Sequence, residues 1–264
     1  MSVTKQFFVR RLFEKKGKYP VKKRYFTLVE LLVVIGIVAI LAGLVLPAVI
    51  GGAQQGRITQ AKADMKSIQM ALAQMDQTYG RTLVVDGDKK AKFKLDSSST
   101  TTVTPKKQNA GDGVTATEFI VLGPKDNKFE YTGTKTSLTA DDEKAYDALI
   151  AELTATWNYS GSYQHNTRKI KFLDPNANFM PDKHYDDAAN QSYLWRDPWG
   201  NRYTIMINVD GNDRLVKPDA PSTGKYIMGK YAVYSRGPDG EDNQGKNVDE
   251  GGDKLDDDIA TWHK

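Results

Sequence analysis

The sequence predicts an α+β protein: one long amino-terminal helix, membrane-spanning in its first half and amphipathic in its second, lies on a small antiparallel sheet. Three observations carry this expectation. Residues 31–50 are apolar throughout, residues 58–79 hold an apolar stripe at helical spacing, and the chain beyond Asp197 contains alternating apolar segments.

The first element is LLVVIGIVAILAGLVLPAVI, 20 residues from Leu31 to Ile50, and no charged side chain occurs before Arg57. At about 1.5 Å per residue this run crosses the roughly 30 Å hydrocarbon core of a bilayer. Glu30 stands at its edge, behind the basic cluster KKRY. A carboxylate at that depth is costly unless a cation pairs with it, so Glu30 is a functional candidate on chemistry alone. Pro47 lacks an amide donor and is expected to kink or loosen the helix, while Gly36 and Gly43 permit close helix approach.

Charge sets the orientation. Residues 1–25 hold nine of the 37 basic side chains against Glu14 alone, leaving 28 basic against 32 acidic in residues 26–264. The basic end is expected to stay in the cytoplasm, with everything after the helix exported. Topology thus accounts for the basic patch, and no nucleic-acid partner is expected. The chain has no cysteine and a mean hydropathy of −0.55. An exported domain without disulfides must rely on its core, on assembly, or on a metal ion.

The helix is expected to continue beyond the bilayer as an amphipathic segment over 51–79. Ile58, Ala61, Met65, Ile68, Leu72, Met75 and Tyr79 make one stripe, and Gly80 supplies the stop. Residues 81–190 read as a polar insertion. Their Thr/Ser/Lys-rich start has little to bury, ATEFIVLG is short and apolar, and a helix is expected at about 141–157, with Tyr146, Leu149, Ile150, Leu153 and Trp157 inward. Residues 191–264 carry the strands. Tyr203, Ile205, Ile207 and Val209 alternate on one face, and YIMGKYAVYSRG supplies a second strand from Tyr226, Met228, Tyr231, Val233 and Tyr234.

Several of these segments resemble one family. KKRY ahead of FTLVELLVVIGIVAILAGLVLP is similar to the leader junction of type IV pilins and of the pseudopilins of type II secretion, and RITQAKADMKSIQMAL, DPWG, YSRGPDG and the closing DDIATW resemble the major pseudopilin. Residues 26–80 and 197–262 carry the likeness. It implies a pilin-like fold and a basic prepilin leader at 1–25, cut between Tyr25 and Phe26 by a prepilin peptidase that methylates the new terminus. Glu30 and Pro47 fall at the offsets from Phe26 that the family keeps. The family has Gly before the cut where this chain has Tyr25, and a subsite shaped around a residue without Cβ resists a phenol ring. Either a divergent peptidase accepts Tyr25 or the leader stays attached.

The resemblance further implies a homopolymeric fibre that leaves a bacterial inner membrane. The ammonium of Phe26 in one subunit would neutralise Glu30 of its neighbour, and platform proteins, an ATPase and minor pseudopilins would be partners. It also implies calcium. DGEDNQGKNVDEGGDKLDDD, residues 239–258, sets nine Asp/Glu against two Lys, a density that is repulsive unless solvated or wrapped round a hard cation. By position in the family pattern, Asp239, Asp257 and Asp258 would give carboxylates and Arg236 a backbone carbonyl to Ca²⁺. An EF-hand fits poorly, since Gln244 stands where Gly is required.

No catalysis is expected. His165, His184 and His263 lack metal-ligand spacing, and neither G-x-S-x-G nor a phosphate loop occurs. The expected function is mechanical, a structural subunit of the pseudopilus. A type IV pilus subunit for adhesion, motility or DNA uptake shares the amino terminus, and Tyr25 suits an uncleaved, signal-anchored binding domain with 81–190 as its recognition element.

Overall fold

A computed structural model describes residues 27–94, 100–108, 117–131, 134–155, 163–174, 179–181, 193–218, 226–242 and 258–262. The chain is α+β, with an amino-terminal apolar helix and small antiparallel sheets. It divides into two units, residues 1–50 and residues 51–264.

Helix α1 spans Leu28–Tyr79. Within the first unit it carries a stretch, Leu28–Val45, long and apolar enough to cross a membrane, and none of those 18 residues is buried. The expected long helix over 26–80, of which 31–50 is the apolar span, is observed from Leu28, with Glu30 inside its first turn. Pro47 lies within α1 by its backbone; its side chain is outside the described residues.

In the second unit the expected stripe is the buried face of α1. Ala61, Met65, Ile68, Leu72 and Met75 are at most 1% exposed, with Ile58 and Tyr79 half-buried against the same cluster. Each large side chain so buried contributes roughly 1.5–3 kcal/mol. Gly80, at φ +69°, ends the helix in the left-handed conformation that favours glycine.

Strands β1 (Ala91–Lys94), β2 (Thr100–Val103), β3 (Lys106–Gln108), β4 (Thr117–Leu122), β5 (Lys128–Tyr131) and β6 (Thr134–Ser137) precede helix α2 (Ala140–Thr154). After it come β7 (Phe179–Pro181), β8 (Tyr193–Trp195), β9 (Thr204–Asn208), β10 (Arg214–Val216), β11 (Tyr226–Met228), β12 (Tyr231–Ser235) and β13 (Ile259–Ala260). The main sheet is antiparallel in the order β13-β12-β9-β4-β3; β1-β2, β5-β6, β7-β8 and β10-β11 form two-stranded ribbons.

Alternation sorts this sheet between two apolar layers. Ile120, Leu122, Tyr203, Ile205, Ile207, Val233 and Ile259 join the cluster with α1 and α2; Phe119, Val121, Met206, Ala232, Tyr234 and Ala260 join a second with Leu215 and Ile227. The expected second strand is two strands. Gly229, at φ +134°, breaks it, so β11 pairs with β10 while β12 pairs with β9, and Met228 is 77% exposed.

Residues 81–190, expected as an elaboration, supply part of the core. Strand β4 pairs directly with β9, Phe119 opposite Asn208 and Leu122 opposite Ile205. Thr139 caps α2 by exchanging hydrogen bonds with Asp142, and Ala155, at φ 52°, closes it. Tyr146, Leu149, Ile150 and Leu153 are fully buried as expected; Trp157 lies outside the described residues.

Candidate functional site

Apart from Pro47, further along α1, two places hold the expected site residues. At the start of α1, Thr27 and Glu30 form a reciprocal cap. The Thr27 main-chain N–H and hydroxyl donate to Glu30 Oε2 at 2.8 and 3.0 Å, and the Glu30 N–H donates to Thr27 Oγ1 at 3.2 Å. T-x-x-E is the sequence form of this capping box, a signal legible in TLVE beside the one for charge pairing. Tyr25 and Phe26 lie outside the described residues.

The second place is the end of the main sheet where β12 leaves and β13 returns. Ser235 pairs with Ile259, so Arg236 and Asp258 follow on opposite strands at the two ends of the acidic loop. Asp258 is fully buried and Asp239 is exposed, its Oδ1 accepting from the Glu241 N–H at 2.8 Å. Asp257 and residues 243–256 are outside the described residues. Among the described residues no three His, Asp or Glu side chains gather as a metal group.

Two loops build the floor of this place. In DPWGN, Asp197 accepts from the main-chain N–H groups of Trp199 at 3.0 Å and Asn201 at 2.7 Å, which folds the turn. Its other oxygen accepts from the Ser235 hydroxyl at 2.6 Å, and Asn201 Nδ2 donates to the Gly237 carbonyl at 3.4 Å. The DPWG and YSRGPDG segments are thus locked together. Burial raises the Asp197 carboxyl above the ordinary carboxylate range, against the pull of these donors. Gly240 sits at φ +71° with Asn201 Oδ1 3.3 Å from where a Cβ would stand, so a side chain there is both strained and crowded.

A residue that sequence reasoning did not single out reaches the same place. Asn127 follows β4, is fully buried, and accepts at Oδ1 from Arg236 Nε at 2.7 Å and from Arg236 Nη2. Its Nδ2 donates to the Tyr234 hydroxyl at 3.1 Å and to Thr204 Oγ1. Arg236 Nη1 donates to the Gly240 carbonyl at 3.3 Å, and the Tyr234 hydroxyl donates to Asp242 Oδ1 at 3.2 Å. Burial first, then the Asp242 charge, pushes the Tyr234 hydroxyl well above its ordinary value, so it stays a neutral donor. PKDNK offers no motif that marks Asn127, since its partners lie 77 to 109 residues away.

The donor chemistry here suits a hard cation. Carboxylates at both loop ends and main-chain carbonyls are the oxygen types that calcium takes, six to eight at a time. Of the calcium ligands that the family pattern implies, Asp239, Asp258 and the Arg236 carbonyl lie among the described residues. Bound there, the ion would act as a staple joining the two loop ends, and it would supply no chemistry beyond that.

No family model, curated protein or solved structure matches the chain.

Proposed function

We propose that this protein is a structural subunit of a pilus-like fibre, most like the major pseudopilin of a type II secretion system, with a pilin-like fold. The observation that carries the reading is the apolar start of α1. None of its 18 membrane-length residues is buried among the described residues, yet Glu30 stands among them as a capped carboxylate. In lipid such a group is costly, and the freed ammonium of Phe26 on a neighbouring subunit would neutralise it as helices bundle. Burial of the apolar helix in the fibre then drives assembly, with a prepilin peptidase, platform proteins and minor pseudopilins as partners. The subunit is anchored in a bacterial inner membrane with its second unit exported, and a calcium ion closes the acidic loop.

Intact mass and the amino-terminal residue, measured on protein from native membranes and from sheared surface material, test this. A terminus at methylated Phe26 in both supports the fibre subunit. A terminus at Met1, found in membranes alone, overturns it in favour of the fixed anchor that Tyr25 suggests.

A further inference from the structure

Asn127 is placed so that one side chain reaches both side chains, Arg236 and Tyr234, that bind the Gly240–Asp242 part of the acidic loop. A guanidinium carries donors and no acceptor, so Oδ1 must face Arg236 and the amide nitrogen must face Tyr234 and Thr204. Arg236 in turn holds the Gly240 carbonyl, and Tyr234 holds Asp242. The main chain of Asn127 points the other way. Its N–H donates to the Pro124 carbonyl at 3.0 Å and its carbonyl accepts from the Leu138 N–H at 2.7 Å, so it closes the base of the β5-β6 ribbon.

We propose that Asn127 is the positioning residue of the acidic loop: it fixes the arm from Arg236 to Asp242 for a divalent cation and ties that arm to the β5-β6 ribbon. The cation part rests on the calcium reading above. Loss of the Asn127 side chain releases the Arg236 guanidinium from Oδ1 and leaves the buried Tyr234 hydroxyl without its amide donor, so the Gly240–Asp242 part of the arm is held less firmly while the α1 and α2 core keeps its packing. Supporting residues behind a metal site change ion affinity by about tenfold to a hundredfold when removed.

The test uses the full chain in detergent as wild type, Asn127→Ala and Asn127→Asp. Amide hydrogen exchange is mapped with and without CaCl₂, and calcium affinity is titrated with MgCl₂ as control. Aspartate keeps the acceptor for Arg236 and separates that arm of the network from the Tyr234 arm. The expected result has three parts. Asn127→Ala loses protection over 231–242 and 258–262 while α1 and α2 amides stay protected; its calcium affinity falls about tenfold or more; and Asn127→Asp, which keeps the Arg236 acceptor without the amide donor, recovers part of each. Unchanged exchange over 231–242 in Asn127→Ala, or a uniform loss across the whole domain, overturns the positioning role. If wild type binds no calcium while Asn127→Ala still loses the arm selectively, the ion reading fails and the positioning role stands.

Discussion

Arg202 grips Asp147 with two prongs, Nε to Oδ1 at 2.9 Å and Nη2 to Oδ2 at 3.0 Å, joining the turn before β9 to the middle of α2. Arg202 Nη1 also reaches Glu143 Oε1 at 3.1 Å, and the Arg202 and Asp147 side chains are only 15% and 10% exposed. Removing one partner of a buried pair leaves an uncompensated charge, whereas replacing both with apolar groups can be neutral. Asp147→Ala is therefore expected to destabilise the domain by about 3 kcal/mol, and Asp147→Leu with Arg202→Met to recover most of that loss. Urea unfolding of wild type, Asp147→Leu, Arg202→Met and the double variant as a double-mutant cycle, with Asp147→Ala beside it, measures both; additive costs would mean the prongs do not couple.

Glu152 and His165 titrate in opposite senses. Glu152, near the end of α2, accepts from the main-chain N–H groups of Gln164, His165 and Asn166 at 3.0, 2.8 and 2.7 Å. Burial nevertheless pushes its carboxyl up to about 7. With the folded value raised above the ordinary 4.5, its contribution to stability is full below pH 4.5 and declines as pH rises towards 7. His165 Nδ1 accepts from the Val84 N–H at 2.8 Å and its ring lies 4.6 Å from that of Phe93. Burial lowers it to about 4 from 6.5, so its contribution is full above 6.5 and is lost as pH falls through 4. Between about pH 4.5 and 6.5 the two oppose each other. Wild-type stability minus that of Glu152→Gln is expected to decrease with pH in this window, and the same difference for His165→Gln to increase. Denaturant midpoints at half-unit pH steps read both slopes, and a flat difference for either residue removes it from the pair.

Gly123 sits at the end of β4 where the chain presses on β9. A Cβ there would stand 2.9 Å from Thr204 Oγ1, 3.1 Å from Thr204 Cα and 3.2 Å from the Tyr203 carbonyl oxygen. Two of those atoms are backbone and cannot swing aside. Gly123→Ala is expected to cost about 1–3 kcal/mol as an overpacking defect. It should also loosen Asn127, which shares Thr204. A thermal shift reads the first effect; an unchanged Tm would show that β4 and β9 separate without penalty.

The parts legible in the sequence are those whose partner is implied by their own periodicity. Ala61 to Met75 repeat at three and four and are the buried face of α1; Tyr203, Ile205 and Ile207 repeat at two and face one layer of the sheet. The face that alternates with them is harder to read, because Thr204 and Asn208 are polar yet buried, Thr204 against Asn127 and Asn208 against the Arg214 carbonyl of β10, and Met206 lies in the layer with Leu215 and Ile227. Residues 117–122 read as part of a polar insertion because they sit among Thr-, Ser- and Lys-rich neighbours, and composition over a long window hides a six-residue strand. Asp239 and Asp258 are visible as charge density, and their placement at one sheet end follows from the β12-β13 pairing. Asn127 is silent in the sequence because its role exists only once β4, β9 and β12 lie side by side.

At the start of α1 the Thr27–Glu30 cap and the proposed pairing with a neighbour compete for one carboxylate. Glu30 Oε2 already accepts two hydrogen bonds from Thr27, so a neighbouring ammonium must add to that cap or replace it. Two substitutions separate capping from charge. Glu30→Gln keeps an amide oxygen that can accept from Thr27 and removes the charge; Thr27→Val keeps the shape and removes the hydroxyl. If pairing with an ammonium drives assembly, Glu30→Gln is expected to reach the membrane at the wild-type level and to leave little protein in sheared surface material. Thr27→Val is then expected to polymerise nearly as well as wild type, since the Thr27 main-chain N–H remains as a donor to Glu30. Immunoblots of membrane and sheared fractions read both. Normal polymer from Glu30→Gln with loss from Thr27→Val would assign Glu30 to capping alone and remove charge pairing from the account of assembly.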